Sequence, residues 1–80
     1  MSLTRDNAQH PAIRHPVIYL NDHPPAHVHV FNADGEAQIT LEPVRIDKVW
    51  SMKPAHVARA KALVASHRAA LLARWRDLHG

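Results

Sequence analysis

The hydrophobic pattern of this chain changes its period at Pro54, and this change constrains the fold more than any other feature. Over residues 36–41 apolar and polar side chains alternate strictly, which is typical of a strand with one buried face. After Pro54 apolar residues recur at helical spacing and form one stripe. The members of this stripe are Val57, Ala60, Val64, Leu71, Trp75 and Leu78. The sequence therefore predicts an α+β fold, a small antiparallel sheet of three to four strands with one face covered by a C-terminal bent helix or helix pair.

The predicted helical segment is too long for the sheet that it covers. A straight helix from Pro54 to His79 would be about 39 Å long, whereas an 80-residue domain is compact. Either the helix breaks near Ser66 and His67, or its end packs on a second subunit. We expect His67 to be structural, half-buried and either bonded to a backbone carbonyl or capping a helix, and Trp75 to belong to the core. Because a domain of this size has a thin core, we also expect a homodimer.

Length and composition limit the class of protein. The 80 residues are enough for one domain, and the lack of cysteine excludes disulfides, a thiol nucleophile and cysteine-ligated metal. Residues 1–12 are polar and aperiodic and are predicted to form a flexible N-terminal arm, followed by a single α+β domain at 13–80. No apolar run has the roughly 20 residues of a membrane span, and the N-terminus lacks the apolar stretch of a signal peptide. We therefore expect a cytoplasmic protein that does not contact membranes.

Short segments at 17–20, 27–31, 36–41 and 44–50 have strand character. The turn at 32–35 ends in Gly35, whose freedom to adopt a positive φ suits a turn. A four-residue turn would pair Phe31 with Glu36. That register places His29 opposite Gln38 and His27 opposite Thr40, and its core face carries Val28, Val30, Ala37 and Ile39.

The strongest chemical signal is the segment at 21–30, Asn-Asp-His-Pro-Pro-Ala-His-Val-His-Val. His27 and His29 would project from one strand face, turned away from the helix. If the first predicted strand pairs beside them, Ile18 and Leu20 share this face. A face that mixes aliphatic side chains with imidazoles is rarely left to water, so we expect a ligand, nucleic acid or second chain to cover it.

A metal site is one interpretation of these histidines. The two prolines of the loop stiffen it, so that His23, His27 and His29 form a candidate imidazole trio for zinc or another divalent metal. Asp22 would be a fourth ligand, or it would orient one ring from outside the coordination shell.

Two other interpretations stay open. His27 and His29 could act as general acid and base in phosphodiester cleavage, with Arg14, Arg45 or Lys48 holding the phosphate. Alternatively, both histidines are structural or solvated side chains without a chemical role.

Charge is distributed unevenly along the chain. Residues 1–44 hold two basic and five acidic side chains, whereas residues 45–80 hold eight basic and two acidic ones. The asymmetry predicts an anionic partner for the C-terminal half, and nucleic acid is one candidate. The residues predicted to bind a partner or nucleic acid are Arg45, Lys48, Lys53 and Arg59.

Residues 17–30 resemble the signature of a small bacterial family of domains of unknown function, whose members read as an aromatic-rich strand followed by Asp-His-x-Pro-Pro-His-Phe-His or a one-residue variant. Gly35-Glu36-Ala37 followed by Ile39 is similar to the second hairpin strand of that family. Its terminal segment is similar to Ser66-His67-Arg68 with Leu71, Leu72 and Trp75. The resemblance covers residues 13–79. This chain departs from the family in Val28, where Phe is usual, and in a more basic final helix.

The resemblance implies a component of toxin–antitoxin-like modules, since such proteins are commonly encoded beside another small domain of unknown function. It implies that His23, His27, His29 and Asp22 are functional positions and that His67 and Trp75 are structural ones. Likeness to a family of unknown function supplies no reaction.

We therefore predict a non-enzymatic interaction module, one component of a bacterial toxin–antitoxin-like pair. It would bind a cognate small protein from a neighbouring gene, with nucleic acid as a further candidate partner, through the histidine-bearing sheet face and the basic C-terminal half. The alternative is a small histidine-based nuclease toxin, metal-assisted or metal-free, with His27 and His29 as catalytic residues. The first prediction is favoured because no paired carboxylates accompany the histidines.

Overall fold

The computed structural model of the chain describes residues 15–80, a three-stranded sheet followed by two helices. The elements are β1 (His27–Phe31), β2 (Glu36–Leu41), β3 (Val44–Trp50), α1 (Pro54–Ser66) and α2 (Arg68–His79). The strands are antiparallel in the order β1-β2-β3. This confirms the predicted α+β fold with a helix pair. The predicted arm at 1–12 lies outside the described residues.

The β1–β2 hairpin has the predicted register throughout. Asn32 organises its turn, because its side-chain oxygen accepts hydrogen bonds of 2.9 Å from the backbone N–H groups of Asp34 and Gly35. The side-chain amide of the same residue donates to Nδ1 of His56 in α1, at 3.0 Å. The buried Asn32 thus ties the turn of the sheet to the helix layer.

Gly35 is needed in this turn for a reason that the sequence pattern did not indicate. Its φ is not in the positive region, which among the described glycines only Gly80 adopts. Instead, a Cβ atom at Gly35 would lie 1.8 Å from the carbonyl oxygen of Trp50 and 2.8 Å from the backbone nitrogen of Met52. The end of β3 packs directly against the turn, and only glycine leaves room for this contact.

The segment before β1 forms an isolated bridge rather than the first predicted strand. Val17 pairs with His29 through backbone hydrogen bonds of 2.8 and 2.9 Å. Because paired residues share a face of the sheet, Tyr19 lies on the histidine face, whereas Ile18 packs against the hydrophobic core. The prediction that Ile18 and Leu20 share the histidine face is therefore wrong, and Leu20 is exposed.

A bulge in β3 keeps the apolar residues of this strand on one face. The pairing of β2 with β3 shifts between Gln38 and Ile39, which leaves Asp47 as the extra residue. Nε2 of Gln38 donates to Oδ2 of Asp47 at 3.0 Å. The shift aligns three apolar residues with the core face, namely Val44, Ile46 and Val49. The other face receives Arg45, Lys48 and Trp50.

The hydrophobic core lies between the sheet and the two helices. Its buried members are Val28, Val30, Ala37, Ile39, Leu41, Met52, Ala60, Val64 and Leu72. Arg68, at the start of α2, donates from Nε to the carbonyl oxygen of Leu41 at 2.8 Å and so ties this helix to the end of β2. Neither helix in the described part of the chain is both long and apolar enough to cross a membrane.

The helical segment breaks at His67, which has φ −113° and ψ 17°. This confirms the first of the two outcomes expected for an overlong helix. Nδ1 of His67 lies 3.0 Å from the carbonyl oxygen of Leu63, as expected, although the side chain is exposed rather than half-buried. The break also changes which residues are buried, because Leu72 is buried while Leu78 in the predicted stripe is exposed.

Candidate functional site

Asp22, His27 and His29 converge at the β1 edge of the sheet. One potential ligand atom of each residue lies within 4.8 Å of those of the other two. The two histidines alternate with core valines along β1 and therefore share a face, and Asp22 reaches them from the loop before this strand. We call these three residues the histidine centre.

The carboxylate of Asp22 contacts both imidazoles. Its Oδ1 lies 3.1 Å from Nε2 of His29 and 3.5 Å from Nε2 of His27. Its Oδ2 accepts a 2.9 Å hydrogen bond from the backbone N–H of Tyr19, while the backbone N–H of Asp22 donates to the Tyr19 carbonyl at 3.1 Å. This turn directs the carboxylate at the two histidines.

A second acceptor holds the far side of each imidazole. Nδ1 of His27 donates to the carbonyl oxygen of Pro25 at 2.8 Å, and Nδ1 of His29 donates to Oε2 of Glu36 at 2.9 Å. Nε2 of His29 lies 3.1 Å from Oδ1 of Asp22. His29 is thus held between two carboxylates.

The two imidazoles of the histidine centre lie in the middle of a row of five rings. Successive ring centroids lie 4.9 Å apart for Tyr19 and His29, 5.1 Å for His29 and His27, 5.3 Å for His27 and Trp75, and 4.0 Å for Trp75 and His79. Nε2 of His79 donates to the Tyr19 carbonyl oxygen at 3.2 Å, which ties the end of α2 back to the loop. As a result, His27 and His29 are only 7% and 8% exposed.

This enclosure corrects one expectation about the histidine face. The face was expected to point away from the helices. That a ligand, nucleic acid or second chain covers it stays a prediction. Trp75 of α2 nevertheless contacts His27, because β1 is an edge strand that a side chain from the helix layer can reach around. The chain itself covers its histidines, with Tyr19 on one side and Trp75 on the other.

Competing effects set the charge of Asp22. Burial raises its pKa, but the backbone hydrogen bond from Tyr19, the hydrogen bond from His29 and the positive charges of His29 and His27 lower it. The net result is a pKa below the ordinary value of 3.8. Asp22 is therefore ionised at neutral pH and presents a negative charge to both imidazoles.

The other predicted site residues lie outside this centre. His23 is exposed in the loop and does not belong to the cluster of potential ligand atoms. Arg45 and Lys48 share one face of β3, whereas Lys53 precedes α1 and Arg59 lies on it, all of them exposed. The four predicted basic residues therefore do not share one strand face, and Arg14 falls outside the described residues.

Four contributors to the site were missed by reasoning from the sequence, namely Tyr19, Glu36, Trp75 and His79. Glu36 could have been predicted from the register. Gln38 lies directly opposite His29, and Glu36, two residues before Gln38, lies diagonally across from it at a distance that long side chains bridge. The contact of Trp75 with His27 had no such signal. It depends on the helix break and on how α2 docks against the sheet.

The opposite edge of the sheet is open. In the described residues β3 pairs only with β2, and its Ile46, Val49 and Trp50 are 36%, 42% and 45% exposed. Arg45 and Lys48 are exposed on the same strand. We call these five residues the β3 surface.

The fold and the site define a small α+β protein with an enclosed histidine–carboxylate centre at one sheet edge and an apolar, basic surface at the other. Residues 17–76 match the model of a protein family described as "Domain of unknown function (DUF4160)". The chain therefore belongs to this family. No curated protein and no solved structure matches the chain. The matched residues include the whole histidine centre and the whole β3 surface.

Proposed function

We propose that this protein is a non-enzymatic interaction module that binds a partner protein through the β3 surface. The partner is a cognate small protein encoded by a neighbouring gene, in the toxin–antitoxin-like arrangement that the family resemblance implies. The observation that carries the proposal is the concentration of exposed apolar side chains on one open strand. Trp50 would lie at the centre of the interface with Arg45 and Lys48 on the same face of β3, and Ile46 and Val49 would contact the partner around the exposed edge of the strand.

The exposed apolar residues are not scattered evenly over the molecule. Six large apolar side chains are exposed in residues 15–80, and three of them lie on β3. Single exposed apolar residues are ordinary, whereas several on one open edge strand of a small domain are typical of an interaction site. Trp50 is the expected energetic centre, because tryptophan is enriched among the residues that dominate binding energy at protein interfaces.

The charges of the β3 surface favour an acidic partner. Arg45 and Lys48 are exposed, while Asp47 between them accepts a hydrogen bond from Gln38. Complementary charge at the rim of an interface raises the association rate and excludes wrongly charged partners. We therefore expect carboxylates on the partner opposite these two cations.

The form of β3 indicates how the partner would dock. A bulge and a lysine on an edge strand oppose regular pairing with a further strand, and β3 has both in Asp47 and Lys48. We therefore expect the partner to pack against the side chains of β3 rather than to extend the sheet.

The nuclease alternative has less support from the structure. Its catalytic residues would be His27 and His29, whose low exposure leaves little surface for a nucleic-acid substrate. A groove of about 620 Å³ lies elsewhere, with Val17, Leu63 and Leu71 among its lining residues, and none of the histidine centre lines it.

The proposal is tested with the product of the adjacent gene, purified separately and titrated with this protein by calorimetry. We expect a one-to-one complex that Trp50→Ala weakens about 30-fold. Lys48→Glu should weaken it about fivefold, mainly through the association rate. Matched controls are Leu20→Ala, which removes an exposed apolar side chain outside β3, and Lys61→Glu, which makes the same charge change on α1. Both controls should leave the affinity within about twofold.

Four results would contradict the proposal. The first is no complex with the wild-type protein, and the second is a complex that Trp50→Ala leaves unchanged. The third is binding of RNA or DNA but not of the protein partner, which would assign the surface to nucleic acid. Light scattering on this protein alone, with a mass twice 9.0 kDa, would instead assign the β3 surface to a second copy if Trp50→Ala restored the monomer.

A further inference from the structure

We propose that the histidine centre binds a divalent transition-metal ion, with zinc as the first candidate. The ligand atoms are a carboxylate oxygen of Asp22 and Nε2 of both His27 and His29. Glu36 does not bind the ion but orients His29 from behind. This site lies at the β1 edge, so it is separate from the partner surface and goes beyond the proposed function.

The ligand atoms are already spaced nearly as zinc requires. Zinc bonds to imidazole nitrogen and carboxylate oxygen are about 2.0–2.2 Å long, so neighbouring ligands of a tetrahedral ion lie about 3.3 Å apart. Asp22 Oδ1 is 3.1 Å from Nε2 of His29 and 3.5 Å from Nε2 of His27. Since the three ligand atoms lie within 4.8 Å of one another, a small side-chain adjustment would bring all three to bonding distance of one ion.

The outer hydrogen bonds place both imidazoles in the tautomer that a metal needs. Nδ1 of His27 faces a carbonyl oxygen, which only accepts, and Nδ1 of His29 faces the carboxylate of Glu36. Both rings therefore carry a hydrogen on Nδ1 and direct Nε2 at Asp22. Metal-ligating histidines usually have this arrangement, because an acceptor on the far nitrogen fixes the ring and increases its basicity.

The charges around the centre favour a dication. The carboxylates of Asp22 and Glu36 lie on opposite sides of the His29 ring, 3.1 Å from Nε2 and 2.9 Å from Nδ1. A divalent ion at Nε2 of His29 would place two positive charges beside these two carboxylates. Burial of the centre strengthens this effect, because charges in a low-dielectric surrounding interact more strongly than charges in water.

The donor set determines the class of metal. Two imidazole nitrogens and one carboxylate oxygen suit zinc and neighbouring divalent transition metals, whereas magnesium and calcium prefer oxygen ligands alone. Tyr19 and Trp75 pack on the outer faces of the two imidazoles and restrict their rotation, so little ordering is needed when the ion binds.

The site is tested by titrating chelator-treated protein with zinc. Calorimetry and the imidazole resonances in NMR monitor the titration. We expect one zinc ion per chain and shifts of the His27 and His29 ring signals, while those of His67 stay in place. Asp22→Asn should weaken binding at least 100-fold, and Glu36→Gln, which keeps all three ligands, should weaken it about 10- to 100-fold. His23→Ala and His67→Ala are the matched histidine controls, and both should keep the wild-type affinity within about twofold.

No binding by the wild-type chain at 100 µM zinc would overturn the proposal, whatever the variants do. Unchanged affinity in a folded Asp22→Asn protein, or a large loss in His23→Ala, would also overturn the assignment of ligands. If circular dichroism shows that Asp22→Asn does not fold, the decision rests on the wild-type ring resonances and on Glu36→Gln. Zinc-induced shifts at His67 without shifts at His27 and His29 would then refute the site.

Discussion

One edge of this three-stranded sheet is covered by other parts of the chain, and the other edge is exposed. At the β1 edge the chain folds back, so that the Val17 bridge, the Asp22 carboxylate and the Trp75 ring enclose two histidines. At the β3 edge nothing in the described residues covers the strand, and Trp50 is left half-exposed. The protein has two tryptophans, one at each edge. We expect Trp75 to stabilise the fold and Trp50 to bind the partner.

The difference shows what each edge can do. Polar groups that are enclosed must find partners within the chain, and in the described residues no buried side-chain nitrogen or oxygen lacks one. The β1 edge therefore suits a small ion that fits among existing side chains. The β3 edge has apolar and cationic side chains already in solvent and therefore suits a macromolecular partner.

The largest expected effect separates the two tryptophans by their contribution to stability. Trp75→Ala removes a ring that is 8% exposed and packs on His27, so it should lower the free energy of unfolding by about 3–5 kcal/mol. Trp50→Ala removes a residue that is 45% exposed and should cost about 1 kcal/mol. Urea denaturation followed by circular dichroism measures both. Equal losses would contradict the distinction between a closed and an open edge.

The next effect concerns the contact that holds β3 to the hairpin turn. Gly35→Ala would place a Cβ atom against the backbone of Trp50 and Met52, so we expect a loss of about 3 kcal/mol in urea denaturation. Gly80→Ala is a control without a steric clash, since a Cβ there meets nothing within 4 Å. Its φ of +86° disfavours alanine, so a smaller loss of about 1 kcal/mol is expected. The local change in structure should shift the NMR resonance of the Trp50 indole more than the ring resonances of His27 and His29. Larger shifts at the two histidines would refute the contact between Gly35 and the end of β3 as the cause.

A smaller effect should appear at the closed edge when the pH falls. Because the pKa of Asp22 is lower in the folded protein than in the unfolded chain, ionised Asp22 stabilises the fold fully above its unfolded pKa of about 3.9. That contribution is lost as the pH falls from there through the folded pKa. Urea midpoints of metal-free protein between pH 6 and pH 2.5 measure it, and Asp22→Asn should reduce the loss over that interval. An identical pH profile in the variant would show that other carboxylates are responsible.

The smallest expected effect is at the open edge. Lys48→Glu and Lys61→Glu both reverse an exposed charge, one on β3 and one on α1, and each should change the free energy of unfolding by less than about 0.5 kcal/mol. Only the β3 variant should weaken partner binding. If Lys48→Glu destabilised the protein by more than about 1 kcal/mol, its effect on binding would no longer report on the surface alone.

Much of the fold was predictable because its signals are local. The strict alternation at 36–41 and the turn at 32–35 together determined the hairpin register, including the shared face of His27 and His29. The excess length of the helical segment predicted either a break near Ser66 and His67 or packing on a second subunit, and the structure has the break, at His67. Asp22 was a candidate beside the histidines for the same reason, since it is only a few residues away along the chain.

The errors and omissions have a common physical origin. Ile18 was placed on the wrong face because the loop between Val17 and His29 permits more than one register, and the sequence contains no turn that selects between them. The bulge at Asp47 was not predicted. The spacing of Val44, Ile46 and Val49 is consistent with it, since these three residues share a face only when one residue between Ile46 and Val49 is unpaired.

By itself the sequence determined the periods of its elements, the pairing of β1 with β2 and the presence of two histidines and an aspartate close together in the chain. Side-chain alternation and short turns act over a few residues, so a pattern along the chain is sufficient to specify them. Only the tertiary structure decided that Trp75 and His79 close one edge while β3 stays open. Those contacts join residues far apart in sequence, and they depend on how the two helices pack on the sheet once the helical segment has broken.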